Sequence, residues 1–197
     1  MVLVEQTEVP SAALPVTTFR NHLRLGTGFS DDAIQDELLE EHLRAAMATI
    51  EARTGKILIQ RSFSWRVTAW RDLAKEYLPV APVSQLTRFA IIEGDDSETV
   101  IDPGRYRLVP DTHRPAVAST GFLFPILPVG GVAEITFDAG FGSTWTEVPR
   151  PVSQAVMMLA GHYYSNRTAV GDGKILPEGV DALIASFRPV RLWRGVF

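Results

Sequence analysis

The spacing of apolar residues changes near Gly55 and changes back after Pro149, and these two switches constrain the fold more than any other feature of the chain. Ile34, Leu38, Leu39, Leu43, Ala46, Met47 and Ile50 recur in steps of one, three and four, which puts them on one face of a helix. Beyond Gly55, Phe63, Trp65, Val67 and Ala69 alternate with Ser62, Ser64, Arg66 and Thr68, the pattern of a strand with one buried face. After Pro149 the helical spacing returns with Val152, Ala155, Val156, Leu159 and Tyr163. A chain ordered helices, strands, helices favours an α+β architecture. The N- and C-terminal helices would form a helical bundle, with an antiparallel β-rich unit inserted between them.

Local signals set the boundaries. Residues 1–13 have no apolar period and contain Pro10, so they are expected to form a flexible N-terminal arm. A short helix is expected after Pro15, with Thr17 or Thr18 as its N-cap, and a long one after Ser30, with Asp31 and Asp32 in its first turn. Gly55 suits the C′ position that closes the long helix. Strand signals follow at Glu76–Pro79, Leu86–Ile92, Thr99–Ile101, Tyr106–Val109 and Val132–Asp138, separated by turn-forming runs such as Gly94-Asp95-Asp96-Ser97 and Asp102-Pro103-Gly104. Asp138-Ala139-Gly140-Phe141-Gly142-Ser143 reads as a flexible corner. A last helix begins near Pro177 and stops at Pro189. The helical core is thus expected from residues 14–56 and 149–188, the β-rich insertion from 57–148, and a C-terminal tail from 189–197.

The 197 residues are 46% hydrophobic and 21% charged, values of an ordinary globular chain. A net charge of −4 argues against a generic nucleic-acid binder. The absence of cysteine excludes disulfides, thiol nucleophiles and zinc–thiolate sites. The apolar stretch Phe122–Ala133 is broken by Pro125, Pro128, Gly130 and Gly131, and is too short for a membrane helix. Glu5 and Glu8 precede the first basic residue, Arg20, so no secretion signal is expected. The expectation is a soluble protein made in the cytoplasm.

Catalytic motifs are weak. His22, His42, His113 and His162 show no metal-ligand spacing, and His22 and His162 are expected to be hydrogen-bonded core or boundary histidines of the helical part. Gly26-Thr27-Gly28 and Thr54-Gly55-Lys56 fail as phosphate loops, and no G-x-S-x-G elbow occurs. A hydrolase built from scattered His and Asp residues would need a deep pocket holding His113 or His162 beside carboxylates. A binding module on the β unit would need exposed aromatics, for which Trp65 and Trp70 are candidates.

Two features point instead to interaction surfaces. Asp31, Asp32, Asp36, Glu37, Glu40, Glu41 and Glu51 give the long helix an acidic face, with Arg44 the one Lys or Arg among them. The tail interleaves Arg188, Arg191 and Arg194 with Leu192, Trp193 and Phe197. Arg and Trp are enriched at interface hot spots, which favours docking into a partner.

Pro15-Val16-Thr17 leads to His22-Leu23-Arg24-Leu25, and Asp31-Asp32 to a long Ala/Leu/Glu helix ending in Glu51-Ala52-Arg53-Thr54-Gly55. Asp138-Ala139-Gly140-Phe141-Gly142 then runs on to Val148-Pro149, Gln154-Ala155 and His162-Tyr163-Tyr164-Ser165-Asn166-Arg167, and Leu176-Pro177-Glu178-Gly179-Val180 to Leu183. In order and spacing this pattern resembles the tailed-phage head–tail connector (adaptor) family over residues 14–188. Sixteen Arg against three Lys suits an alphaproteobacterial prophage or gene transfer agent, a phage-like particle that carries host DNA.

The resemblance implies a structural protein and no enzyme. Such adaptors form a ring, a dodecamer, under the portal protein. The ring prolongs the DNA channel and offers a platform to the stopper, the next neck protein towards the tail. The family grips the portal with its C-terminal segment, which corresponds here to Arg188, Arg191, Leu192, Trp193, Arg194 and Phe197. Asp36, Glu37, Glu40 and Glu41 would line the channel. DNA would pass without specific binding, because affinity for phosphate comes from Lys and Arg. No cofactor, metal or membrane is implied. Assembly is expected in the cytoplasm, and the final location is the neck of the particle.

Overall fold

Alternation decides which residues of the β region are buried. In β2 (Arg61–Val67), Phe63, Trp65 and Val67 point inward while Ser62 and Arg66 point away. In β8 (Val132–Ala139), Ala133, Ile135, Phe137 and Ala139 are buried and the residues between them are half-exposed. The computed structural model describes residues 1–25, 32–95, 97–166 and 176–189, with no side chains described for residues 32–34. It is a mixed α+β protein that divides into two compact units. One comprises Met1–Pro10 and Ile57–Thr144; the other comprises Ser11–Lys56 with Trp145 and the described residues after it.

The first unit holds two antiparallel sheets. A five-stranded sheet has the order β1-β2-β8-β4-β5, with β1 at Val2–Glu5, β4 at Val83–Ile92 and β5 at Glu98–Val100. A three-stranded sheet has the order β3-β7-β6, with β3 at Lys75–Tyr77, β6 at Tyr106–Val109 and β7 at Ala116–Ser119. Their shared core includes Phe63, Trp65, Phe89, Tyr106, Val117, Phe124, Ile135 and Phe137. Each large side chain buried there contributes roughly 1.5–3 kcal/mol.

Three expectations are corrected in this unit. The N-terminal arm is not unstructured over its whole length: Val2–Glu5 pairs with β2, Leu3 lying opposite Trp65 and Glu5 opposite Phe63. The strand gave no period because all four of its residues are exposed at the sheet edge. The strand β7 was not foreseen, since Ala-Val-Ala-Ser offers small residues of low strand preference. The glycine-rich corner is a site of close approach. A Cβ on Gly140 (φ +142°) would lie 2.4 Å from the Gln60 backbone, and Gly140 N–H donates to Pro82 O at 2.9 Å.

The second unit contains α1 (Val16–His22), α2 (Asp32–Thr54), α3 (Arg150–Ser165) and α4 (Glu178–Ile184). Leu39, Leu43, Ala46, Met47 and Ile50 of α2 are buried, as are Val152, Ala155, Val156, Leu159 and Ala160 of α3. Phe19 of α1 and Val180 and Ile184 of α4 complete this core. Thr49 and Tyr163 join α2 to α3 by a hydroxyl–hydroxyl hydrogen bond of 3.1 Å. Gly55, at φ +65°, follows the last residue of α2 in the left-handed conformation expected of C′. Neither Thr17 nor Thr18 caps α1, whose N-cap is Pro15. Pro151 lies in the first turn of α3, and Asn166 closes that helix by donating its backbone N–H to His162 O at 3.0 Å. Ser30, the expected cap of α2, lies outside the described residues.

Candidate interaction surfaces

The four acids singled out on α2 do not form one uniform face. Asp36 is ion-paired with Arg20 of α1. Glu40 accepts from Ser11 Oγ at 2.8 Å and from Arg44 Nε at 2.9 Å. These partners, the Ser11 hydrogen bond foremost and Arg44 next, hold the Glu40 carboxyl below the usual carboxylate range. Asp36 and Glu40 therefore tie α2 to α1 and to the turn before it. Glu37 and Glu41 are exposed one helical turn apart, and they alone of the four present carboxylates to solvent with no described partner of that kind.

In the tail, Arg188 pairs with Asp181 of α4 at 2.6 Å, which anchors the start of the segment to the last helix. Arg191, Leu192, Trp193, Arg194 and Phe197 lie outside the described residues.

The residues that enzyme and binding-module readings would need are dispersed. His113 stands exposed on a turn whose backbone is capped by Asp111. His22 and His162 are also exposed and belong to neither core nor boundary, because the helix faces that carry them turn towards solvent, although His162 Nδ1 is hydrogen-bonded to the Asn166 side chain at 3.1 Å. Both line an open depression of about 510 Å³ with Leu23, Met158, Gly161 and Pro177, and no carboxylate lines it among the described residues. No group of three or more His, Asp or Glu able to hold a metal occurs among the described residues. No described helix is long and apolar enough to cross a membrane. Trp65 is buried, and Trp70 stacks on Phe124 with ring centroids 4.6 Å apart while donating its indole N–H to Pro125 O at 2.9 Å. Neither tryptophan is an exposed binding platform.

Two exposed apolar features went unrecognised in the sequence. One is β1, where Val2 and Val4 are exposed at the sheet edge. The other is the loop before β8, where Phe122, Leu123, Ile126 and Val129 all face solvent. A signal for the loop was present. Apolar residues set among Pro125, Pro128, Gly130 and Gly131 can sustain neither helix nor strand, so no regular element could turn them all inward.

No family model matches the chain, and a search of curated proteins gives no match. Solved structures do. A chain from the neck of an empty gene transfer agent particle, computed with C6 symmetry, is 46% identical with a TM-score of 0.91. A chain from the virion of a native gene transfer agent particle is also 46% identical, with a TM-score of 0.87. A third, from the neck of a native particle computed with C12 symmetry, is 42% identical with a TM-score of 0.85. Each comparison covers 99% of this chain and 99% of the other. At that identity over that length, the chain belongs to the head–tail connector family of gene transfer agent necks, and it is a structural protein, not an enzyme.

Proposed function

We propose that this chain is the adaptor subunit of a gene transfer agent or closely related phage-like particle, forming a ring, a dodecamer, beneath the portal protein. The observation that carries this reading is the 42–46% identity, over nearly the full length, with neck proteins from particles treated with C6 and C12 symmetry. The helices of the second unit form the bundle from which the ring is built, and the β unit is a peripheral elaboration. The ring extends the DNA channel and receives the stopper on its tail side. Glu37 and Glu41 line the channel and repel phosphate, while Asp36 and Glu40 serve the fold through Arg20, Ser11 and Arg44. The tail, with Arg188, Arg191, Leu192, Trp193, Arg194 and Phe197, grips the portal. Subunits fold in the cytoplasm and end in the particle neck.

Deleting residues 188–197 tests the tail assignment. Co-purification of the truncated chain with the portal should fall at least tenfold, the effect of losing a hot-spot cluster worth about 1.4 kcal/mol or more. Retention equal to that of the intact chain contradicts the assignment.

A further inference from the structure

A depression of about 290 Å³ lies in the β unit, floored by Phe89 and Ile101 of the buried core and lined also by Phe122, Leu123 and Arg105. Its backbone frame is fixed by hydrogen bonds. Thr120 N–H donates to Arg105 O at 3.1 Å and Thr120 Oγ1 to Gly104 O at 2.7 Å. Ser119 Oγ donates to Leu123 O at 3.0 Å, and Phe124 N–H to Leu73 O at 2.7 Å. The site is therefore preformed, and filling it costs little ordering entropy.

One cation at this depression lacks a counterion. Arg105 is exposed and has no ion pair among the described residues. Asp102 and Asp111, the acids of the adjoining turns, point at backbone N–H groups: Asp102 accepts from Gly104, and Asp111 from His113 and Arg114. The three-stranded sheet beside it adds positive charge. Lys75 and Arg107 stand opposite Ala118 in register, and Arg114 lies 4.2 Å over the Tyr77 ring. Glu76, the one acid in the strands of that sheet, is buried. In a chain of net charge −4 this is a local positive field.

We propose that the Arg105 depression is an anchor site for a polypeptide segment of another neck protein, one that places a large apolar side chain next to an aspartate or glutamate. The apolar side chain would fill the floor over Phe89 and Ile101, and the carboxylate would pair with Arg105. The volume lies just below the range of ligand pockets, roughly 300–1,000 Å³, and suits a single side chain. A free small molecule would also leave Phe122, 96% exposed, and Ile126, 92% exposed, uncovered, whereas a segment running on from the anchor covers them. The contact adds to the tail docking proposed above and does not depend on it.

The test uses particles carrying the full chain with Phe122→p-benzoylphenylalanine, a substitution at an almost fully exposed position. After irradiation, mass spectrometry should join position 122 to a different particle protein, within three residues of an Asp or Glu. Adding Arg105→Glu should cut that crosslink roughly tenfold, and adding Arg105→Lys should largely preserve it. A dimer of this chain, a crosslink remote from any acid, no crosslink, or equal yields from the two Arg105 variants overturns the proposal. Co-sedimentation of the isolated chain with phosphatidylglycerol vesicles, lost in Arg105→Glu, would assign the site to a lipid surface and overturn it too. If the probe variant is left out of particles, the two Arg105 variants are compared without it. A several-fold lower copy number per particle for Arg105→Glu alone supports the proposal, and equal copy numbers overturn it. Absence of the unaltered chain from particles would instead defeat the neck reading itself.

Discussion

Ser11 and Glu40 are joined by a 2.8 Å hydrogen bond across 29 residues of sequence, which fastens the turn before α1 to the middle of α2. The bond explains why Glu40, a residue that reads from sequence as part of a solvated acidic face, serves the fold. Ser11→Ala should lower stability by about 0.5–1 kcal/mol, measured by urea denaturation. No change would mean that the bond is fully replaced by water.

The same pair sets a pH dependence. The Glu40 carboxyl is held below its ordinary range by Ser11 first and Arg44 next. A carboxylate favoured by folding contributes stability that is fully present above its unfolded value and is lost as pH falls through the lower folded value. Glu40→Gln should therefore flatten the acid-side fall in melting temperature and leave its neutral-to-alkaline shape unaltered. An undiminished acid-side slope in the variant would count against this role.

Gly140 and Gly55 should respond differently to alanine. At Gly140 the new Cβ would overlap the Gln60 backbone, so a loss of roughly 3 kcal/mol is expected from steric conflict between two backbone segments. At Gly55 the space is open and only the left-handed conformation is penalised, by about 1 kcal/mol. Chemical denaturation of both variants gives the comparison, and equal losses would contradict it.

These positions also show how far the sequence could be read. The alternation of Phe63, Trp65 and Val67 marked β2, and the stripe from Leu38 to Ile50 marked α2, because burial on one face imposes a period. Val2–Glu5 escaped notice because an edge strand exposed at every residue needs none. Gly140 read as a flexible corner because a close backbone approach depends on Gln60, far away in sequence. The acids on α2 could be found from composition, but their division into Asp36 and Glu40, engaged by Arg20, Ser11 and Arg44, and Glu37 and Glu41, exposed, depends on contacts that no local pattern encodes. Family membership was legible because it rests on the order of many short motifs and not on any one site.

Trp70 holds the exposed loop from below. Trp70→Phe keeps the stacking on Phe124 but removes the bond to Pro125 O, and should cost about 1 kcal/mol. Hydrogen exchange should then quicken over residues 122–131 more than in β8. Uniform quickening would mean that Trp70 supports the whole unit and not this loop.

Glu37→Lys with Glu41→Lys should change stability by no more than about 0.5 kcal/mol, since both side chains are exposed. Assembled chains carrying both changes should bind duplex DNA at low salt, with affinity falling steeply as salt rises, while the native assembly does not. Fluorescence anisotropy reads the difference. Equal binding by both assemblies would remove these residues from the channel wall.

The adaptor reading meets its most direct test in quantitative mass spectrometry of purified tailed particles from the source cells. A copy number equal to that of the portal protein is the expected result. Particles that contain portal but lack this chain would contradict it.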